Sequence, residues 1–206
     1  MHAEYITSIG DVKQLPKLLN EHMFSGRPEE RVIFVGRSNV GKSSLLNALT
    51  KQNIAQVSKQ AGKTRKINFF FSHVMKKIIV DLPGYGFAKR TAKERELWAQ
   101  LIQAYVTKDQ YISKALILCD SRHGPTQSDI EAIEFLNSLD LSVALIMTKI
   151  DQLKNQKMRA QRRKEVKKVL ESNKHLRYDK VFWTSVKDFK TVKDLVLHIK
   201  EAKVEE

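Results

Sequence analysis

Residues Gly36 to Ser44, GRSNVGKSS, bring together the groups that can hold a polyphosphate: paired glycines, a lysine and two serines in a row. The run lies directly between an apolar segment, Val32-Ile33-Phe34-Val35, and a helical one, Leu45-Leu46-Asn47-Ala48-Leu49. In that strand–loop–helix setting, G-x-x-x-x-G-K-[ST] is a phosphate-binding loop. Gly36 and Gly41 let the backbone turn, so that successive N–H groups from Arg37, Ser38, Asn39 and Val40 on to Ser44 point at phosphate oxygens, at the positive end of the helix. Lys42 is placed to neutralise the β- and γ-phosphates, and Ser43 to offer its hydroxyl to Mg²⁺. A glycine turn before an ordinary helix is the plain alternative, and the full pattern in this context outweighs it. The chain is expected to bind a nucleoside triphosphate.

Three later segments narrow the base and the chemistry. Lys77-Ile78-Ile79-Val80-Asp81 is an apolar run ending in a carboxylate, followed at once by Leu82-Pro83-Gly84. An Asp at the tip of a buried strand can hold Mg²⁺ from the side opposite Ser43. Gly84, with no side chain in the way, can bring its N–H close to the γ-phosphate. Val143 to Met147 is another buried-strand run, ending in Thr148-Lys149-Ile150-Asp151. Guanine presents two adjacent donors, N1–H and the exocyclic amine, and one carboxylate accepts both. Asp151 fits that task, with the stem of Lys149 along the base plane; adenine offers no such donor pair. Val181-Phe182-Trp183 then leads to Thr184-Ser185-Val186, a third strand tip whose N–H groups can reach the guanine oxygen. The nucleotide is expected to be GTP.

These segments need an α/β framework to converge. Strands are predicted near Arg31–Val35, Lys66–His73, Lys76–Asp81, Lys114–Cys119, Ser142–Met147 and Lys180–Trp183. Helices are predicted over Lys42–Lys51, Thr91–Thr107, Gln127–Ser138, Lys157–Ser172 and Val192–Lys203. The second and third strands leave room only for a tight turn and must be antiparallel; alternation elsewhere implies parallel strands with crossover helices. The expectation is a six-stranded, mostly parallel sheet with one antiparallel strand and helices on both faces, its ligands at the carboxyl ends of the strands. Residues 1–28 read as an N-terminal extension, with a strand at Tyr5–Ile9 and a helix around Val12–Leu19, before a nucleotide-binding domain over 29–206.

The 206 residues suffice for one such domain with a full core. No apolar stretch reaches the roughly 18 residues of a membrane span, and no secretory signal opens the chain. A lone Cys119 cannot form an internal disulfide, which suits a reducing cytoplasm. The charge is more telling: 37 Lys and Arg against 23 Asp and Glu give a formal net charge of +14, far beyond what one triphosphate needs. The densest region runs from Lys154 to Lys180, where Met158, Val166, Val169 and Leu170 fall near helical spacing and leave a basic outer face. Such a face attracts phosphate backbones without reading sequence. A solvated lysine-rich helix and an anionic membrane surface are the alternatives; the apolar face lacks the aromatics a membrane would favour.

The ordered set GRSNVGKSSLLNAL, GKTR, DLPGYGFAK, DSRHGPTQSD, TKID and TSV resembles the EngB/YihA/YsxC branch of bacterial translation-associated GTPases, from about Glu29 to the C-terminus. The resemblance implies a Ras-like P-loop GTPase domain that is cytoplasmic and acts with Mg²⁺ in late assembly of the large ribosomal subunit. It makes Gly62-Lys63-Thr64 the switch I segment, with Thr64 a further Mg²⁺ ligand, and Tyr85 to Arg90 the mobile switch II. The family's usual TPGKT lacks its proline here, and Thr148 stands where most GTPases use Asn. The large subunit and its rRNA are the expected partners, through Lys154–Lys180 and switch II; no membrane is involved, and nothing demands more than a monomer.

Lys42, Thr64 and Gly84 are the expected catalytic groups. Ras-like enzymes place a water-orienting glutamine directly after the D-x-x-G glycine, and this chain has Tyr85, so intrinsic turnover is expected to be slow. Asn39 occupies the position that contributes a K⁺ ligand in potassium-stimulated relatives; a loop-stabilising amide is the equal alternative. His123 can be a general base or, with Arg122, a loop brace. Two readings stay open. One is a GTPase switch that docks on the large subunit and leaves after hydrolysis. The other is a GTP/GDP-sensing RNA-binding factor with negligible hydrolysis. A P-loop kinase fails, because Asp151 and its lysine have no use there.

Overall fold

The computed structural model describes residues 3–15, 30–55, 66–85 and 92–204. Seven strands form its sheet: β1 (Ala3–Ile9), β2 (Arg31–Gly36), β3 (Ile67–Ser72), β4 (Lys77–Asp81), β5 (Ile112–Asp120), β6 (Val143–Thr148) and β7 (Lys180–Trp183). Their order across the sheet is β1-β3-β4-β2-β5-β6-β7. Only β3 runs against the others, antiparallel to both β1 and β4. Pairs β2–β4, β2–β5, β5–β6 and β6–β7 are parallel. The expected six-stranded sheet therefore gains one strand. Tyr5–Ile9 is part of β1, an edge strand whose Tyr5 is 60% exposed while its ring meets Phe70 edge-on at 5.7 Å.

Helices α1 (Lys42–Thr50), α2 (Ala92–Val106), α3 (Gln127–Ser138), α4 (Gln156–Ser172) and α5 (Phe189–Glu201) cover the two faces. Continuous apolar strands serve both faces at once, because neighbouring side chains point in opposite directions. Ile33, Val35, Ile117, Leu145 and Met147 pack under α2, α3 and α4. Val32, Phe34, Leu116, Leu118 and Ile146 pack under α1 and α5. Phe69 and Phe70 likewise divide between the faces.

Most helix starts are fixed by side chains. Asn155 accepts from the Met158 N–H at 2.9 Å, and Asp188 from the Lys190 N–H at 3.1 Å. Asp188 explains why α5 begins three residues before the predicted Val192. On α4, Val166 and Leu170 are buried as expected, whereas Met158 is 41% exposed. The Val12 segment shows a short 3₁₀ turn at Val12–Gln14, ended by the buried Leu15; residues 16–19 of that predicted helix lie outside the described residues. Among the described residues no helix is long and apolar enough to cross a membrane.

Candidate functional site

Parallel pairing brings the carboxyl ends of β2, β4, β5, β6 and β7 to one edge, with Phe34 beside Asp81 and Asp120 beside Thr148 in register. The loop after β2 occupies the centre of that edge. Gly41 sits at φ 104°, in the region that favours glycine, and no side chain caps α1. The first helical bond is Leu45 N–H to Gly41 O at 2.9 Å. The N–H groups of Lys42, Ser43 and Ser44 precede it, at the positive end of the helix. A capless helix start with a left-handed glycine is the local form of an anion cradle.

Lys42 Nζ bonds the Asp81 carboxylate and donates to Leu82 O at 2.7 Å. Asn68 Nδ2 adds a long contact to Asp81 at 3.4 Å. The phosphate lysine and the D-x-x-G carboxylate are thus one ion pair, nearly out of solvent. Gly84 is glycine for a nearer reason than any ligand. A Cβ there would lie 2.9 Å from Gly36 O and 3.6 Å from Ser38 N, so the segment presses against the phosphate loop itself. Pro83 O accepts from Trp98 Nε1 at 2.7 Å, which makes Trp98 a brace for this segment.

The base side is held to the phosphate side by two bonds. Thr148 Oγ1 donates to Val40 O at 2.6 Å, and Lys149 Nζ donates to Asn39 O at 2.5 Å. Thr148 therefore fastens the β6 tip to the phosphate loop with one hydroxyl. Lys149 takes a left-handed φ of 59°, which aims its ammonium back at the loop. Asp151 Oδ1 accepts from Ser185 Oγ at 2.7 Å and Oδ2 pairs with Lys187 at 3.2 Å. Burial pushes the Asp151 carboxyl up, but those two donors outweigh it and hold it below the usual range. The Ser185 N–H turns to Thr191 Oγ1 at 3.2 Å, Thr184 Oγ1 lies 3.3 Å from the same hydroxyl, and Val186 is exposed.

Two carboxylates, the first and last residues of DSRHGPTQSD, were given no role from the sequence. Asp120, at the tip of β5, accepts from Lys149 Nζ at 2.9 Å and grips Arg122 through Nε and Nη2 at 2.9 and 2.6 Å. Burial again opposes its charge, but the Arg122 and Lys149 donors hold it well below the usual carboxylate range. Arg162 of α4 donates to Arg122 O at 2.7 Å and His123 O at 3.3 Å. Through its carbonyl to Arg162 and its guanidinium to Asp120, Arg122 links α4 to the lysine of the base loop, and His123 adds its backbone carbonyl. Asp129 is the second, fully buried near the start of α3, where it accepts from Arg37 and Tyr85. Of the predicted site, Gly62, Lys63, Thr64 and residues 86–90 of switch II lie outside the described residues. Among the described residues, no group of three or more His, Cys, Asp or Glu is placed to hold a metal.

A phosphate cradle, a D-x-x-G carboxylate and a guanine-type carboxylate on one mixed α/β sheet define a P-loop GTP-binding protein. Residues 31–149 match the model of the 50S ribosome-binding GTPase family. A probable GTP-binding protein EngB of Thermotoga maritima is 46% identical over 138 residues, 67% of this chain and 70% of that one. Its counterpart in Clostridium acetobutylicum is 40% identical over 172 residues, 83% and 80% of the two chains. Among solved structures, Era in complex with MgGDPNP and a stretch of 16S ribosomal RNA superposes with a TM-score of 0.66 at 23% identity. That likeness covers 86% of this chain and 57% of that one. The chain belongs to the EngB family of GTP-binding proteins.

Proposed function

We propose that this protein is a GTP-driven switch in assembly of the large ribosomal subunit, working in the cytoplasm and hydrolysing GTP to GDP. The observation that carries the reading is the contact of Lys42 with Asp81 and Leu82 O, beside a base loop bonded to the same phosphate loop. GTP entering the cradle gives Lys42 phosphate oxygens to bind and leaves Asp81 facing a cation. The oxygen donors Ser43 and Asp81, joined by Thr64, suit Mg²⁺, which supplies charge neutralisation between the β- and γ-phosphates. Asp151 accepts the guanine N1–H and amine, and the stem of Lys149 lines the base.

Tyr85 does not replace the missing glutamine. Its hydroxyl donates to Asp129 at 2.9 Å inside the core, so it cannot orient the attacking water. Intrinsic hydrolysis is slow on this account. Asn39 is exposed at φ 60°, with its carbonyl engaged by Lys149, so a K⁺ beside the phosphates takes the side-chain amide. The burial of Tyr85 also favours a second reading, a nucleotide sensor with negligible turnover.

The ribosomal contact falls on α4 and its flanks. Three of its cations are already committed within the fold. Arg159 donates to Leu153 O, Arg162 to the 122–123 carbonyls, and Arg177 to Asn137 O and Asp140. Arg163 also lies over the Trp183 ring at 4.9 Å, while Lys154, Lys157, Lys164, Lys168 and Lys174 remain exposed and suit an RNA backbone. Era, whose fold this chain shares, is itself solved with a stretch of 16S ribosomal RNA.

The test is GTP hydrolysis in K⁺ and in Na⁺, with and without purified large subunits, with Lys42→Ala as control. A subunit-stimulated rate lost in the variant is expected. Background hydrolysis with nucleotide-dependent subunit binding would favour the sensor, and identical rates in both salts would remove the K⁺ site.

A further inference from the structure

Asp129 closes the DSRHGPTQSD segment but has been given no task there, yet its carboxylate has no solvent exposure and four donors converge on it. Oδ2 accepts the N–H and the hydroxyl of Thr126, both at 2.8 Å, which closes a capping box on α3. Oδ1 accepts Arg37 Nε at 3.1 Å and the Tyr85 hydroxyl at 2.9 Å. A helix cap needs only the Thr126 pair. The second oxygen joins two segments far apart in sequence that flank the phosphates. Arg37 is the first variable residue of the phosphate loop, and Tyr85 directly follows Gly84. The two also meet as an isolated parallel β-bridge, and Trp98 packs edge-on against the Tyr85 ring at 6.3 Å.

A buried carboxylate without its donors is costly, so this oxygen keeps both segments at fixed separation. Gly84 sits between them, at a distance from Gly36 O and Ser38 N that leaves no room for a Cβ. We propose that Asp129 is a positioning residue which, through Tyr85 and Arg37, fixes Gly84 against the phosphate loop and so sets the preference for a γ-phosphate. The inference rests on the reading of Gly84 as the γ-phosphate contact. GDP has no group at that point, so loosening Gly84 weakens triphosphate binding and spares diphosphate binding. Tyr85 thereby has a task that a glutamine could not perform: its ring fills the core and its hydroxyl holds the start of switch II.

The experiment measures dissociation constants for a non-hydrolysable GTP analogue and for GDP with Mg²⁺, by titration calorimetry, in wild type, Tyr85→Phe and Asp129→Asn, with thermal melts alongside. Tyr85→Phe keeps the ring and removes one hydrogen bond to a carboxylate. It should weaken the analogue about fivefold and leave GDP within about twofold. Asp129→Asn should shift the ratio in the same direction, and the double variant should add little beyond it. A merely structural role would lower both affinities equally, or only the melting temperature, and either result would overturn the proposal. Gly84→Ala separates the causes of failure. A ratio shifted by Gly84→Ala but not by Tyr85→Phe would keep the γ-phosphate contact and discard Asp129. If neither moves it, both ideas fail. Should Gly84→Ala not fold, the Tyr85→Phe ratio still decides: unchanged, it overturns the role of Asp129.

Discussion

The phosphate half and the base half of this site are built on different principles. In the phosphate half, the geometry comes mainly from close packing around glycines. Gly36 is hemmed by Val40 and Leu118, Gly84 by Gly36 and Ser38, and Gly41 turns left-handed into an uncapped helix. In the base half, the geometry comes from side chains sharing donors and acceptors, with Lys149 held between Asn39 O and Asp120 and Asp151 between Ser185 and Lys187. Close-packed backbone has no soft mode, so one added methyl group is expected to fail sharply. A charge network loses one bond at a time and is expected to fail by degrees.

The sharpest contrast should come from Gly36→Ala. Its Cβ would sit 2.9 Å from Val40 Cγ1 and 3.0 Å from Leu118 O. Overpacking of this kind costs about 1–3 kcal/mol of stability, and the displaced loop should lose guanine nucleotide altogether in calorimetry. A stable variant with near-native affinity would show the phosphate half to be softer than its packing implies. Asp151→Asn should act next most strongly, through the base alone. An amide keeps one acceptor and replaces the other with a donor, so GTP affinity should fall about ten- to a hundredfold. The triphosphate of xanthine, which carries an acceptor where guanine has its amine, should lose much less.

Asp120→Asn should be the gentlest. Lys149 keeps Asn39 O and loses its charged partner, so GTP affinity should fall only about three- to tenfold. The variant also reports on pH. The folded Asp120 carboxyl lies below its usual range, so its stabilisation is present above the unfolded value of about 3.9 and is lost as pH falls through the folded value. The melting-temperature gap between wild type and Asp120→Asn should therefore be full at neutral pH and close in acid. A gap that persists unchanged in acid would remove the charge from the account.

The two halves also differ in how far the sequence revealed them. Loop, glycines, lysine and serine of the phosphate half are contiguous, and their physics is local, so the strand–loop–helix pattern exposes them. Asp81, Lys149 and Asp151 were legible because each ends an apolar run. Asp120 ends such a run too, and the Arg two residues on was the available signal. Asp129 offered less: its bond to Arg37 spans 92 positions, and only the capping pattern from Thr126 marked it. Pairings of that range are set by the sheet order, which a local reading cannot supply. The same limit hid the pairing of β1, expected as a strand at Tyr5–Ile9 but not as part of the sheet. Ala3–Ile9 is a short edge strand with one exposed side, and only its register with Ile67–Ser72 makes it part of the sheet. Gly84 was read for its nearness to phosphate, whereas its constraint begins at the neighbouring backbone. On α4, Met158 had the spacing of a core residue, but in the helix's first turn it is 41% exposed.

Base choice joins the two halves most directly, because the proposal gives the reading of guanine to Asp151 and lets the phosphate cradle take any triphosphate. The measurement is displacement of a fluorescent guanine nucleotide by GTP, GDP and ATP in Mg²⁺ buffer. GTP and GDP should displace it, and ATP should not do so even at a hundredfold excess, on the order of 3 kcal/mol of discrimination. Displacement by ATP at concentrations like those of GTP would contradict the assignment of Asp151 to the base, and with it the GTP-driven switch.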